Sequence, residues 1–254
     1  MEVIELQKDI FCLKEENLNI LLYERVNKMG IYLVTGSSGD IGSDICEKIL
    51  ENESNSILGI DIKPSRINNT RYRHIELNLG NLKEIEKVDW EKFNISTVIH
   101  TAGVYKSKLI EEYDLNSITY TVNVNVISIV VIIQQLLSKS TNTKLENIIM
   151  ISSTAEKLGS RDPVYSLSKS AIVGVLKSFE KTLNCRINVV SPGLIDTKMS
   201  RENQTIQRKQ YHVNNTLAKR MGKIEDVTNL VMFLLSNKSS YIWGENIYIN
   251  GGML

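Results

Sequence analysis

The sequence predicts a doubly wound α/β sandwich of three layers around a mainly parallel sheet of seven strands. Three observations lead there. Short β-branched runs alternate with longer helix-like segments along most of the chain. Those runs are apolar at successive positions rather than alternately, the pattern of parallel strands buried on both faces. A glycine-rich turn follows the first run and opens a helical segment, as at the first βα join of such sheets.

The predicted strands are IYLV (31–34), ILGI (57–60), YRHIE (72–76), TVIH (97–100), NIIMIS (147–152), RINVV (186–190) and NIYI (246–249). Helical patterns fall near 41–51, 115–138, 164–183 and 224–236. The chain has only three prolines and shows no repeat, low-complexity tract or linker. This points to one domain over residues 30–254, preceded by an extension, 1–29. In the extension Leu18, Leu21, Leu22 and Val26 follow helical spacing, which predicts a helix packed on the domain or on a neighbouring subunit. The helix near 115–138 contains ISIVVIIQQLL and is apolar nearly all round. One face can cover the sheet; the other is expected at a subunit interface, in a homodimer or homotetramer.

Composition narrows the function. Of 254 residues, 42% are hydrophobic and 23% charged, and the net charge is +1, which argues against nucleic-acid and membrane partners. Cys12, Cys46 and Cys185 are scattered and form no C-x-x-C pair. That suits a reducing, cytoplasmic setting with no disulfide framework and no zinc site. His74, His100 and His212 are dispersed, so each reads as structural or exposed and no metal site is expected. The start carries only the short apolar stretch ILLY with acidic flanks, unlike a signal peptide. The longest apolar run, ISIVVII at 127–133, is too short to span a bilayer.

TGSSGDIG (35–42) puts glycines at Gly36, Gly39 and Gly42 between a strand and a helix. Glycines let a backbone approach a pyrophosphate, and a helix N-terminus offers free N–H donors to it. The next strand ends in Asp61, nineteen residues after Gly42. A carboxylate there can accept hydrogen bonds from both ribose hydroxyls of NAD and repels the 2′-phosphate of NADP. Asp40 would repel a pyrophosphate if it pointed inward, so its side chain is expected to face away, with Ser37, Ser38 and the 39–41 backbone closing the turn. In VYSLSKS, Tyr165 and Lys169 lie four apart at the start of a helix and so share a face. An ammonium beside a phenol favours the phenolate, which predicts a lowered pKa for Tyr165 and a role as general acid/base. Upstream, Ser152 and Ser153 end the strand NIIMIS.

With these residues the chain resembles the short-chain dehydrogenase/reductase family, in its compact single-domain branch with a Rossmann-type fold. Six motifs over residues 30–254 carry the resemblance in order. They include TGSSGDIG, HTAG (100–103) with Thr101 in place of the usual asparagine, NVNVIS, SPGLIDT (191–197), and the C-terminal RMGKIEDV and YIWGENIYINGG. The resemblance implies catalytic roles for Asn125, Ser153, Tyr165 and Lys169. Tyr165 would exchange a proton with the substrate oxygen, and Ser153 would hydrogen-bond that oxygen. Lys169 would bind the nicotinamide ribose, and Asn125 would hold a water of the proton relay. Ser153 is favoured over Ser152 by motif position. The implied cofactor contacts are Gly36, Ser38, Gly39, Asp40, Ile41 and Gly42 in the loop, then Asp61, Asn78, Leu79, Ala102 and Gly103. Tyr165, Lys169, Pro192, Gly193, Ile195 and Thr197 complete them.

Three departures stand out. The spacing G-x-x-G-x-x-G resembles the extended branch of nucleotide-sugar epimerases and dehydratases. Asn78 stands where an aspartate normally contacts adenine. The link from Phe179 to Arg186 is short, so the helix carrying Tyr165 is expected to end early. The expected function is oxidoreduction between a secondary alcohol and a ketone, with NAD(H) favoured and NADP(H) the alternative cofactor. An extended-branch epimerase or dehydratase and a non-catalytic NAD-binding protein are the competing readings. The polar segment after Thr197, with Lys198, Arg201, Arg208, Lys209 and Lys219, is expected to contact a small-molecule substrate as a solvated, mobile lid.

Overall fold

A computed structural model of the protein describes residues 30–139 and 144–253. The expected helix in the extension lies outside the described residues. The strands are β1 (Ile31–Thr35), β2 (Ile57–Asp61), β3 (Tyr72–Glu76), β4 (Ile95–His100), β5 (Asn147–Ile151), β6 (Arg186–Pro192) and β7 (Asn246–Ile249). They form one sheet in the order β3-β2-β1-β4-β5-β6-β7, every neighbour parallel. All seven predicted strands are present. This is the doubly wound sandwich that the apolar runs predict.

Between the strands lie α1 (Asp40–Leu50), α2 (Leu82–Glu86), α3 (Leu115–Val122), α4 (Ser128–Lys139), α5 (Ala155–Leu158) and α6 (Pro163–Thr182). They are followed by α7 (Lys198–Asn203), α8 (Ile206–Asn214) and α9 (Ile224–Leu235). Two apolar clusters sandwich the sheet. One joins Leu33, Val98 and Met150 to Ile129, Ile132 and Leu136 of α4 and Ile172 and Leu176 of α6. The other joins Val34, Ile99 and Val190 to Ile45 and Ile49 of α1 and Val227 and Val231 of α9. Adjacent strand residues thus feed opposite layers, which is why the strands read as continuous apolar runs.

Strand order reverses between β1 and β4, whose C-terminal ends meet at the Thr35–His100 pair. In open α/β sheets this switch point opens a crevice, and it places TGSSGDIG beside HTAG. One π-helical turn, Asn123–Ile127, joins α3 to α4. The resulting stretch Leu115–Lys139 is long and apolar enough to cross a membrane by length and composition, longer than the 127–133 run suggests. It instead lies on the sheet, with Ile129, Ile132, Ile133 and Leu136 buried.

The helix carrying Tyr165 runs through Thr182, as the 164–183 pattern predicts, and leaves a link of only 183–185 before β6. The segment after Thr197 folds as two short helices. Thr197 and Thr205 cap them by accepting the N–H of Ser200 and of Arg208. The polarity of the segment hides the helical period, because it buries almost no apolar face.

Candidate active site

The glycine-rich loop is braced against the β4 turn. Gly36 has φ +71°, and a Cβ there would stand 2.6 Å from the backbone nitrogen of Ala102. At Gly42 a Cβ would come within 2.8 Å of the Gly36 carbonyl carbon. Only glycine allows this approach. The Thr101 hydroxyl donates to the Thr35 carbonyl at 2.6 Å and so holds the loop where the family pattern has asparagine. Helix α1 starts at Asp40 with no side-chain cap. Its first N–H groups remain available to an anion.

A cleft of about 400 Å³ runs along this junction. Gly36, Ser38, Gly39, Asp40, Ile41 and Gly42 line it, as do Asp61, Asn78 and Leu79. Ala102, Gly103 and Thr197 complete this group of expected residues. Its volume suits a small ligand or cofactor. Gly193 and Ile195 line a separate cavity of about 180 Å³ near His212 and Asn250, so they do not share the cleft wall. Pro192 ends β6, and its carbonyl accepts the Thr154 N–H at 2.9 Å.

Asp61 is nearly buried. Its two oxygens accept the N–H groups of Ser38 at 3.0 Å and Lys63 at 2.9 Å. Each oxygen keeps a further acceptor site. Asn78 accepts the Gly80 N–H at 2.9 Å, which fixes the turn after β3. Asp40 turns toward the start of α7, accepting the Lys198 N–H at 2.5 Å and pairing with Arg66 at 3.3 Å. Burial opposes its charge, but Lys198, Arg66 and Arg201 outweigh that and hold its pKa below the ordinary value.

Of the catalytic candidates, Asn125 and Lys169 stand behind Gly103, and Tyr165 meets the cleft wall through Tyr105; none of the four lines the cleft itself. Asn125, fully buried in the π turn, accepts the Val104 N–H at 2.8 Å and donates to Ser168 Oγ at 2.8 Å. Lys169 Nζ donates to the Ile151 carbonyl at 2.8 Å and lies 5.7 Å from the Tyr165 ring centroid. Ser152 is occupied: its hydroxyl donates to the Lys169 carbonyl at 2.8 Å. The Ser153 hydroxyl accepts the Ala155 N–H at 3.1 Å and lies near the Tyr165 phenol, where it favours the ionised form.

The expected lowering of the Tyr165 pKa is not what the structure gives. Burial pushes it up to about 12; Tyr105 and Asp162 add to this, while the Ser153 hydroxyl opposes it. Lys169 does not reverse the shift, because its ammonium is committed to the Ile151 carbonyl and is itself pushed down to about 8 by burial. Shared helix face, which sequence spacing reveals, is not the same as a phenol–ammonium contact.

Sequence reasoning missed several members of the site. His100 is fully buried, with Nδ1 2.8 Å from the Thr35 hydroxyl and Nε2 3.1 Å from the Asn125 carbonyl. A carbonyl only accepts, so Nε2 carries the proton and Nδ1 accepts from Thr35. Burial, aided by the Lys169 charge, lowers the His100 pKa to about 3 and keeps the ring neutral. Tyr105 meets Tyr165 edge-on, ring centroids 5.0 Å apart. Asp162 caps α6, with Pro163 in the first turn. An Asp-Pro pair just before a helical pattern is a start signal that could have found it. Nothing local marks His100, whose partners lie 65 and 25 residues away.

Residues 82–254 match the family model described as enoyl-(acyl carrier protein) reductase. The chain is 30% identical over 240 residues to the 3-oxoacyl-[acyl-carrier-protein] reductase FabG of Aquifex aeolicus, covering 88% of this chain and 96% of that protein. The chain belongs to the short-chain dehydrogenase/reductase family. Another member, FabG of Escherichia coli (strain K12), is 27% identical over 88% of this chain and 96% of its own length. A short-chain dehydrogenase family protein from Francisella tularensis superposes with a TM-score of 0.80 at 27% identity, covering 89% of this chain and 98% of that one. A 4-hydroxyisoleucine dehydrogenase complexed with NADH shares the fold, with a TM-score of 0.80 at 22% identity and coverage of 89% and 98%. As a family member, the protein is an NAD(P)-binding oxidoreductase acting on CH–OH and keto groups.

Proposed function

We propose that the protein interconverts a secondary alcohol and a ketone, with NAD(H) as preferred cofactor and Tyr165 as general acid/base. The observation that carries this reading is a glycine-cradled cleft that holds Asp61 and whose wall residue Tyr105 packs edge-on against Tyr165. The glycine cradle and the uncapped start of α1 fit a dinucleotide. Bound there, NAD(H) supplies the hydride chemistry. The remaining acceptor sites of Asp61 take the ribose hydroxyls, and its charge disfavours a 2′-phosphate. Asn78 contacts adenine, and Thr197 the carboxamide. Lys169 holds the nicotinamide ribose.

Tyr165 is protonated at neutral pH, so it is ready to donate to the oxygen of a ketone; in the reverse direction it takes that proton back. Ser153 hydrogen-bonds the same oxygen. Asn125 holds the relay water through its carbonyl, which has a second lone pair besides the one used by His100. The names of the curated relatives favour a 3-oxoacyl thioester as the ketone. The same reading places the enzyme in the cytoplasm as a homodimer or homotetramer, with Val130, Gln134 and Leu137 on the side of α4 turned from the core.

A cofactor-coupled screen tests the proposal, beginning with acetoacetyl-coenzyme A and continuing through sugars and other hydroxylated metabolites. Tyr165→Phe should lower kcat by about a hundredfold or more. The reading is overturned if the purified protein binds neither NADH nor NADPH and the variant keeps full activity. Sugar-nucleotide turnover with no added cofactor would favour the epimerase reading, which the loop spacing supports.

A further inference from the structure

Asp162 is a fully buried carboxylate for which the proposed chemistry has no use. Every donor around it comes from a segment that meets Tyr165. Its Oδ1 accepts the Tyr165 N–H at 2.9 Å, three residues into the helix. From the opposite wall, Oδ2 accepts the Lys106 N–H at 3.2 Å. The Tyr113 hydroxyl bridges both oxygens, at 2.8 and 2.9 Å. Lys106 and Tyr113 bracket the segment 104–113, whose Tyr105 ring packs edge-on against Tyr165. One carboxylate therefore joins the first turn of α6 to the loop that contacts the phenol.

We propose that Asp162 is a positioning residue of the reaction: its carboxylate clamps the start of α6 to the 104–113 loop and so sets the place and the electrostatic surroundings of the Tyr165 phenol. The inference rests on the reading of Tyr165 as acid/base. A helix cap alone needs only an acceptor at the N-terminus, and Asp, Asn, Ser and Thr all supply one. The Tyr113 bridge and the Lys106 bond go beyond capping. The Asp162 carboxylate also carries a negative charge that resists ionisation of the Tyr165 phenol.

The groups facing this pair are few. Lys169 reaches the Tyr165 ring from its own helix, Ser153 from the segment after β5, and Tyr105 from the loop. Around Asp162, Lys108 stands over the Tyr113 ring at 5.5 Å, and the Lys106 ammonium lies over Tyr120 at 5.2 Å. Neither ammonium has an ion-pair contact with Asp162 among the described residues. Tyr113 carries the mark of the clamp: burial first, then the bond to Asp162, raise its pKa far above the ordinary value.

The test uses full-length protein labelled with carbon-13 tyrosine and followed by NMR as pH rises. The Tyr165 signal is identified by its loss in Tyr165→Phe. Asp162→Asn keeps an acceptor for the cap and removes the charge. It should move the Tyr165 titration downward by about one pH unit. Asp162→Ala should do the same and also weaken the clamp, lowering kcat by about tenfold or more on the substrate found in the screen while the KM for NADH changes little. A Tyr165 midpoint that stays put in Asp162→Asn overturns the proposal, since a cap without charge influence predicts that result. Full activity in Tyr165→Phe would instead remove the acid/base reading itself. If Asp162→Ala does not fold, the asparagine variant still decides.

Discussion

His100 shows how a single residue can report on the interior. It is held neutral between Thr35 and the Asn125 carbonyl, with its pKa lowered to about 3. In the unfolded chain the imidazole takes up its proton below about 6.5. Between those values the unfolded state binds more protons than the folded one, so stability must fall as pH falls through that window. The slope from this residue approaches about 1.4 kcal/mol per pH unit. Urea unfolding of wild type and His100→Asn at pH 7 and pH 5 checks it: the loss on acidification should be smaller in the variant. Equal losses would mean that His100 charges freely in the folded state. None of this was legible in the sequence, because the partners of His100 are brought to it only when β1, β4 and the π turn assemble.

At the scale of elements, the βα join at β1 was legible. Gly36 and Gly42 are required by a close backbone approach, and such requirements leave their mark in the residues themselves. Gly36→Ala should cost about 2 kcal/mol or more, since it combines a positive φ with a collision against the Ala102 backbone. NADH fluorescence titration should show lost cofactor affinity beside the lower unfolding midpoint; unchanged values would contradict the bracing of the loop against HTAG. The strands were equally legible, because burial on both faces writes an apolar run. Helices α7 and α8 were not, since their stability comes from threonine caps and docking rather than from an apolar stripe. The π turn was hidden for a different reason. A one-residue widening of a helix has no composition of its own, although it carries Asn125.

The whole molecule is a scaffold that opens a crevice at the reversal of strand order, which the proposed function assigns to a dinucleotide and a carbonyl. Cofactor binding to the folded state alone should raise the unfolding temperature, by the equivalent of about 2.7 kcal/mol at a hundredfold excess over Kd. Differential scanning fluorimetry with NADH and NADPH should show the larger rise with NADH. The reverse order would mean that Asp61 does not sit on the ribose. The layered fold and the family could both be read from the chain, because periodicity, glycine spacing and short motifs are local properties. What folding alone decided is electrostatic and long-range. Burial raises the pKa of Tyr165, although spacing along the helix predicts a lower one. Ser152 is tied to the Lys169 carbonyl, so its hydroxyl is not offered to the phenol, and Asp40 turns to α7. Those outcomes depend on solvent exclusion and on partners distant in sequence, which no stretch of residues contains by itself.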